Sequence, residues 1–233
     1  RGTCDMTRML ASVANVQEAE SLLCAGVDIL DIKHPRKGAL GAVAVQSLAE
    51  IVHAVSGQVP TSATIGDLPM HPALIDKGLT EMRATGVDIV KVGIFATEIT
   101  TPVLDVLRKH AQAGAKIVLV FFADLKPVLD DFMRLADAGM YGVMLDTANK
   151  TGGALRTIMN DAALADFIRQ TRTAGLLTGL AGSLQREDIA PLLKLGPDYL
   201  GFRGALCSRG QRQMEIDMDA ARKVRALIPA YNY

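Results

Sequence analysis

Two charged side chains interrupt the apolar β-run ILDIK: Asp31 and Lys33 stand two residues apart, so in an extended strand they share one face while Leu30 and Ile32 take the other. A lysine held among apolar residues is costly to keep as an ammonium, and desolvation lowers its pKa towards the neutral amine that attacks carbonyls. Lys33 is therefore a candidate Schiff-base nucleophile. Asp31 favours the ammonium in part, and is placed to shuttle protons as a carbinolamine forms and dehydrates. Lys91 lies inside a second apolar run, VKVG. Asp67 follows SATIG, Asp124 ends FFAD, Asp146 ends MLD, and Lys150 lies four residues beyond Asp146. Any one of these loop charges, taken alone, is equally well read as solvated surface. Together they could converge on one mouth.

A different chemistry marks the end of the chain. LAGS places Gly182 and Ser183, and GFRGA places Arg203 and Gly204, just after β-runs. Small residues leave backbone N–H groups accessible to a phosphate, and an arginine adds a charge-assisted fork. The plain alternative is that these glycines only make tight turns. The polar stretch CSRGQRQMEID reads as a mobile loop that brings Arg209 and Arg212 near the phosphate. His34, in the loop HPRKGALGA, is a secondary candidate in a segment suited to phosphate binding or to a lid. His34, His53, His71 and His110 show no metal-ligand spacing, and His53 and His110 fall on outer helices as surface residues. Met133, Met140 and Met144 are expected to face the core and need no cofactor to explain them. Neither metal nor cofactor is expected.

Short apolar runs that could hold these groups recur along the chain, at 9–14, 29–33, 61–65, 89–94, 116–122, 142–146, 177–181 and 199–203. Amphipathic stretches fill the gaps, at 16–25, 45–55, 72–84, 101–113, 127–138, 164–173, 186–193 and 218–227. AGVDIL, TGVDIV, AGAKIV, AGMYGV and LGPDYL each carry Gly where a helix stops and a strand begins. Repeated helix, Gly and strand units are what parallel strands with helical crossovers require. Eight such units in 233 residues predict a single α/β domain, a (β/α)8 or TIM barrel, over 6–233. An open doubly wound sheet is the rival, but no GxGxxG follows the first strand. In a barrel, chemistry sits at the C-terminal rim of the strands, where these polar residues fall.

Composition narrows the partners. Lys plus Arg and Asp plus Glu number 25 each, so no general field attracts nucleic acid or an acidic membrane, and a small molecule is the expected partner. Cys4, Cys24 and Cys207 are scattered, which argues against a disulfide framework or zinc site and suits a reducing cytoplasm. No apolar run approaches the length of a membrane span. Residues 1–5 precede Met6 and are set aside as a tag remnant or short extension. Apolar outer-helix faces leave a homo-oligomer open.

The strings DILDIKHPRKGALGA, SATIGD, VKVG, MLDTANKTGG, LAGS and GFRGALC, in this order from Met6 to the last helix, resemble the (5-formylfuran-3-yl)methyl phosphate synthase family of methanofuran biosynthesis. The resemblance implies a class I aldolase-like barrel that condenses two molecules of glyceraldehyde 3-phosphate, losing phosphate and water, to 4-(hydroxymethyl)-2-furancarboxaldehyde phosphate. It implies Lys33 as the Schiff-base residue and Lys91 as the proton acceptor, with Asp31, Asp146 and Lys150 at the site. His34 departs from the Asn that archaeal members carry after the Schiff-base lysine, which alters the local proton network. The alternatives are another Schiff-base aldolase acting on sugar phosphates, and a non-catalytic phosphate-binding barrel.

Overall fold

The computed structural model describes residues 6–96, 98–149 and 152–229. The segment 1–5 and Lys150 lie outside these residues. Eight parallel strands close into a barrel in chain order: β1 (Arg8–Val13), β2 (Ile29–Ile32), β3 (Thr61–Thr64), β4 (Ile89–Ile94), β5 (Lys116–Phe122), β6 (Gly142–Asp146), β7 (Leu177–Leu180) and β8 (Tyr199–Phe202), with β8 pairing back to β1. Around it run α1 (Val16–Cys24), α2 (Val45–Val55), α3 (Pro72–Arg83), α4 (Thr101–Gln112), α5 (Phe132–Asp137), α6 (Leu155–Ile158), α7 (Asp161–Thr173), α8 (Arg186–Leu193) and α9 (Met218–Arg225). The predicted TIM barrel is the fold observed. Among the described residues no helix is long and apolar enough to cross a membrane.

Strand alternation divides the apolar residues into two layers. Leu10, Ile29, Val118, Val120, Phe122, Met144 and Tyr199 point inward and fill the barrel. Leu30, Ile32, Val90, Val92 and Leu119 point outward and pack beneath the helices. Each fully buried aliphatic side chain of this kind contributes roughly 1.5–3 kcal/mol. Gly179 leaves room inside for Tyr199, since a Cβ there would lie 2.2 Å from its ring.

The helix-stopping glycines act as expected: Gly26 and Gly139 take φ of 75° and 83°, and the chain turns directly into β2 and β6. Three of the following strands also begin with a latch. Asp28 accepts from the Met9 amide at 2.6 Å, Asp88 from the Thr61 amide at 2.8 Å, and Asp198 from the Thr178 amide at 2.6 Å. Each carboxylate thus fastens its strand to the preceding one at the N-terminal end of the barrel.

The structure corrects several expectations. The helix expected over 127–138 is confined to α5, because Lys126 adopts a left-handed φ of 51° and Asp131 caps the helix by accepting from the Arg134 amide. Met133 consequently faces outward, 57% exposed, whereas Met140 and Met144 are buried. The helix expected from 164 begins at Asp161, capped by Asn160. The additional helix α6 precedes it. His110 is a buried residue, with Nε2 2.8 Å from Asp76 Oδ1 and Nδ1 3.5 Å from the Arg83 guanidinium, and so joins α4 to α3.

Candidate active site

The register of β1, β2 and β3 aligns Ser12, Asp31 and Ser62 side by side on the inner wall. Both serines donate to Asp31, Ser62 Oγ to Oδ1 at 2.8 Å and Ser12 Oγ to Oδ2 at 3.2 Å. From β4, Lys91 Nζ reaches Asp31 Oδ1 at 2.8 Å, and from the end of β2, Lys33 Nζ lies 3.6 Å from Oδ2. One buried carboxylate therefore bridges two amines, each nearer a different oxygen. The amines differ in access: the Lys33 side chain is 12% exposed and that of Lys91 only 3%.

Burial alone would raise the Asp31 carboxyl pKa, but the charges of Lys91 and Lys33, with hydrogen bonds from Lys91 and Ser62, hold it down at about 2. Asp31 is an anion throughout the neutral range. Burial pushes the Lys91 amine below its ordinary value, opposed by Asp31 and reinforced by the positive charge of Lys33. On the innermost lysine, burial therefore favours the neutral base.

A cavity of about 490 Å³ opens onto this cluster at the C-terminal end of the strands. Ser12, Asp31, Lys33, Lys91 and Asp146 line its floor and wall; Gly182, Ser183, Arg203 and Gly204 line the side formed by β7 and β8. Asp146 is buried at the end of β6, where its Oδ1 accepts from the Thr147 amide at 2.7 Å. Gly182 has φ of 108°, and a Cβ there would lie 2.9 Å from Thr147 Cγ2. Ser183 also takes a positive φ, 53°, which is unfavourable for a non-glycine residue and brings the loop backbone to the cavity edge.

Three carboxylate and arginine readings require correction. Asp67 accepts from the Ala39 and Leu40 amides at 2.9 and 2.7 Å. It fixes the loop after β2 so that Leu40 packs into the interior cluster and borders the cavity. Asp124 accepts from the Ala148 and Asn149 amides at 2.8 and 2.7 Å, and fastens the loop after β6. Neither carboxylate belongs to the cavity lining, and each holds loop backbone. Arg203 borders the cavity, but its five N–H groups are all engaged: Nε by Arg212 O, Nη1 by Ser12 O and Glu18 Oε2, Nη2 by Glu18 Oε1 and Met214 O. It has no donor left for a phosphate fork. His34 accepts from the Arg36 amide at 3.2 Å and borders a separate surface depression with Glu18 and Arg203.

Sequence reading did not single out Ser12, Ser62, Gln211 or Gln213, all of which line the cavity or bind Asp31. The serines become visible only once strand register is known. The loop read as phosphate-facing supplies Arg212 to the cavity wall, but not Arg209.

The 4-HFC-P synthase family matches residues 9–225. A protein of Methylorubrum extorquens is 40% identical over 90% of this chain and 86% of its own. A Methanococcus aeolicus protein described as (5-formylfuran-3-yl)methyl phosphate synthase is 35% identical, covering 88% of this chain and 92% of the relative. Among solved structures, 3-keto-L-gulonate-6-phosphate decarboxylase from Vibrio cholerae superposes with a TM-score of 0.65 at 14% identity, over 96% of this chain and 100% of the other. That likeness is one of fold.

Proposed function

The chain belongs to the 4-HFC-P synthase family, and from that premise we propose that it is a lyase that joins two molecules of glyceraldehyde 3-phosphate through an imine on Lys33. The product is 4-(hydroxymethyl)-2-furancarboxaldehyde phosphate, formed with loss of phosphate and water for a methanofuran-type cofactor. The observation that carries the reading is one buried carboxylate, that of Asp31, held between an accessible amine and a deeply buried one.

Lys33, the amine at the cavity surface, attacks a triose-phosphate carbonyl as the neutral base. Asp31, 3.6 Å away, takes and returns protons as the carbinolamine loses water. The protonated imine then withdraws electrons from the adjacent C–H bond. Lys91, which burial disposes to give up its proton, removes that hydrogen, and its contact with Asp31 offers the proton a way onward. The resulting enamine adds to the second aldehyde, eliminations of water and phosphate close the furan, and hydrolysis of the imine releases the product aldehyde and restores the Lys33 amine. Asp146, at the cavity wall, assists the later proton transfers together with Lys150. The backbone around Gly182, Ser183 and Gly204 receives the retained phosphate. A cytoplasmic setting suits the free thiols of Cys24 and Cys207.

Incubation with glyceraldehyde 3-phosphate alone tests the proposal. The expected result is a product with the near-ultraviolet absorbance of an aromatic aldehyde and release of inorganic phosphate. Another Schiff-base aldolase would give a sugar phosphate without that absorbance, and a binding protein would give neither product.

A further inference from the structure

The two arginines at the β8 side of the cavity are opposites. Arg203 has every N–H engaged within the protein. Arg212 borders the cavity, and among the described residues no carboxylate or carbonyl accepts from its guanidinium. The backbone carbonyl of Arg212 is one of the acceptors that Arg203 holds, at 3.0 Å, and that of Met214, two residues on, is another, at 3.1 Å.

We infer that Arg203 and Glu18 form a bracket that positions Arg212 to bind a substrate phosphate, so that Arg212 is the ligand and Arg203 a positioning residue. The proposal deepens the proposed function and rests on it for the identity of the phosphate carrier. Glu18 lies in the first turn of α1 and accepts from Arg203 through both oxygens, at 2.6 and 3.0 Å, while Oε2 also accepts from the Ala14 amide at 2.8 Å. The ion pair is largely buried, with side chains 8% and 12% exposed. Arg203 therefore joins the end of β1, the start of α1 and the loop 211–214.

The loop makes its turn at Arg209 and Gly210, both left-handed with φ of 58° and 68°. It then lies so close to the turn after β8 that a Cβ on Gly204 would be 3.2 Å from the Gly210 carbonyl. The Arg212 carbonyl is directed to Arg203 and its side chain enters the cavity. Burial lowers the Arg212 pKa, with Asp146 and Asp67 opposing and Arg203 reinforcing, so the guanidinium sits in a partly desolvated site where a dianionic phosphate is a strong complement. The arrangement divides labour between a guanidinium used as a rigid tie and one left free for a ligand.

Titration calorimetry with inorganic phosphate, together with KM and kcat for glyceraldehyde 3-phosphate, tests the assignment. Arg212→Gln leaves the bracket intact and should weaken phosphate binding about tenfold or more, with KM rising in parallel. Arg203→Lys keeps the charge but cannot hold all five acceptors, and Glu18→Gln keeps the size but breaks the two-oxygen fork. Each should reproduce the Arg212→Gln loss, and Arg203→Lys combined with Arg212→Gln should be no worse than Arg212→Gln alone. Thermal melting checks folding, and Glu18→Gln decides the matter if Arg203→Lys does not fold.

Wild-type phosphate affinity in Arg212→Gln, or in a folded bracket variant, overturns the proposal, as does an additive loss in the double variant. Borohydride trapping of glyceraldehyde 3-phosphate on Lys33 of the wild-type protein tests the imine reading separately. Absence of any wild-type adduct at Lys33 would sink the imine reading while leaving the phosphate result standing.

Discussion

Asp28 and Asp31 belong to the same short segment, and their carboxylates serve opposite ends of the barrel. Asp28, at the N-terminal end, accepts from the Met9 amide and from Arg225, both at 2.6 Å, and so holds backbone and a surface helix in place. Asp31, three residues further along, accepts from no backbone amide among the described residues and instead gathers two lysines and two serines. Asp88 and Asp198 repeat the first arrangement at their own strands. A carboxylate that satisfies a fixed N–H stabilises the fold. One surrounded by movable protons, at the edge of a cavity, can take part in chemistry.

The contrast is tested most severely at Lys33. Lys33→Ala should abolish furan formation, and Lys33→Arg should not restore it, because a guanidinium stays protonated and forms no imine. Turnover in either variant by the phosphate-release assay would remove the nucleophile from the account. Lys91→Ala should still form the imine yet make product about 10²–10⁴ times more slowly, since it removes only the base. Loss of trapping along with turnover would mean instead that Lys91 activates Lys33.

Asp31→Asn has an effect that depends on pH. The carboxylate favours an ammonium on Lys91, so its removal leaves burial less opposed and Lys91 loses its proton at lower pH. The rising limb of the kcat profile should move to lower pH while its plateau falls. In the wild type the folded-state pKa of about 2, against 3.8 unperturbed, means that the stabilisation from Asp31 is present above about pH 4 and is lost as the pH falls from there towards 2. Asp31→Asn should flatten that acid limb in thermal melts. Asp28→Ala, at the other end, should cost about 1–3 kcal/mol, a fall of several degrees in Tm, with kcat of the folded enzyme unchanged. A fall in kcat comparable to that of Asp31→Asn would erase the distinction between the two ends.

The barrel itself was legible because alternation, helical period and the glycines after each helix all point to the same βα unit. The positions of Lys33 and Asp31 were legible for the same reason: parity along one strand is enough to set their common face. Partners from other strands were not. Ser12 and Ser62 flank Asp31 only through register, and Glu18 meets Arg203 across 185 residues of sequence. Asp67 and Asp124 were misread because a carboxylate just past a strand looks the same whether it faces a ligand or, as here, two loop amides. The amphipathic spacing over 127–138 predicts a helix from 127, while Asp131 supplies a cap that starts the helix later.

Borohydride reduction in the presence of glyceraldehyde 3-phosphate, followed by mass mapping of the modified peptide, addresses the central claim most directly. The expected outcome is one stable adduct on Lys33, absent from Lys33→Ala and retained in Lys91→Ala. An adduct on Lys91 instead, or an unmodified protein that still turns over, would contradict the assignment of the accessible amine as nucleophile and the buried one as base.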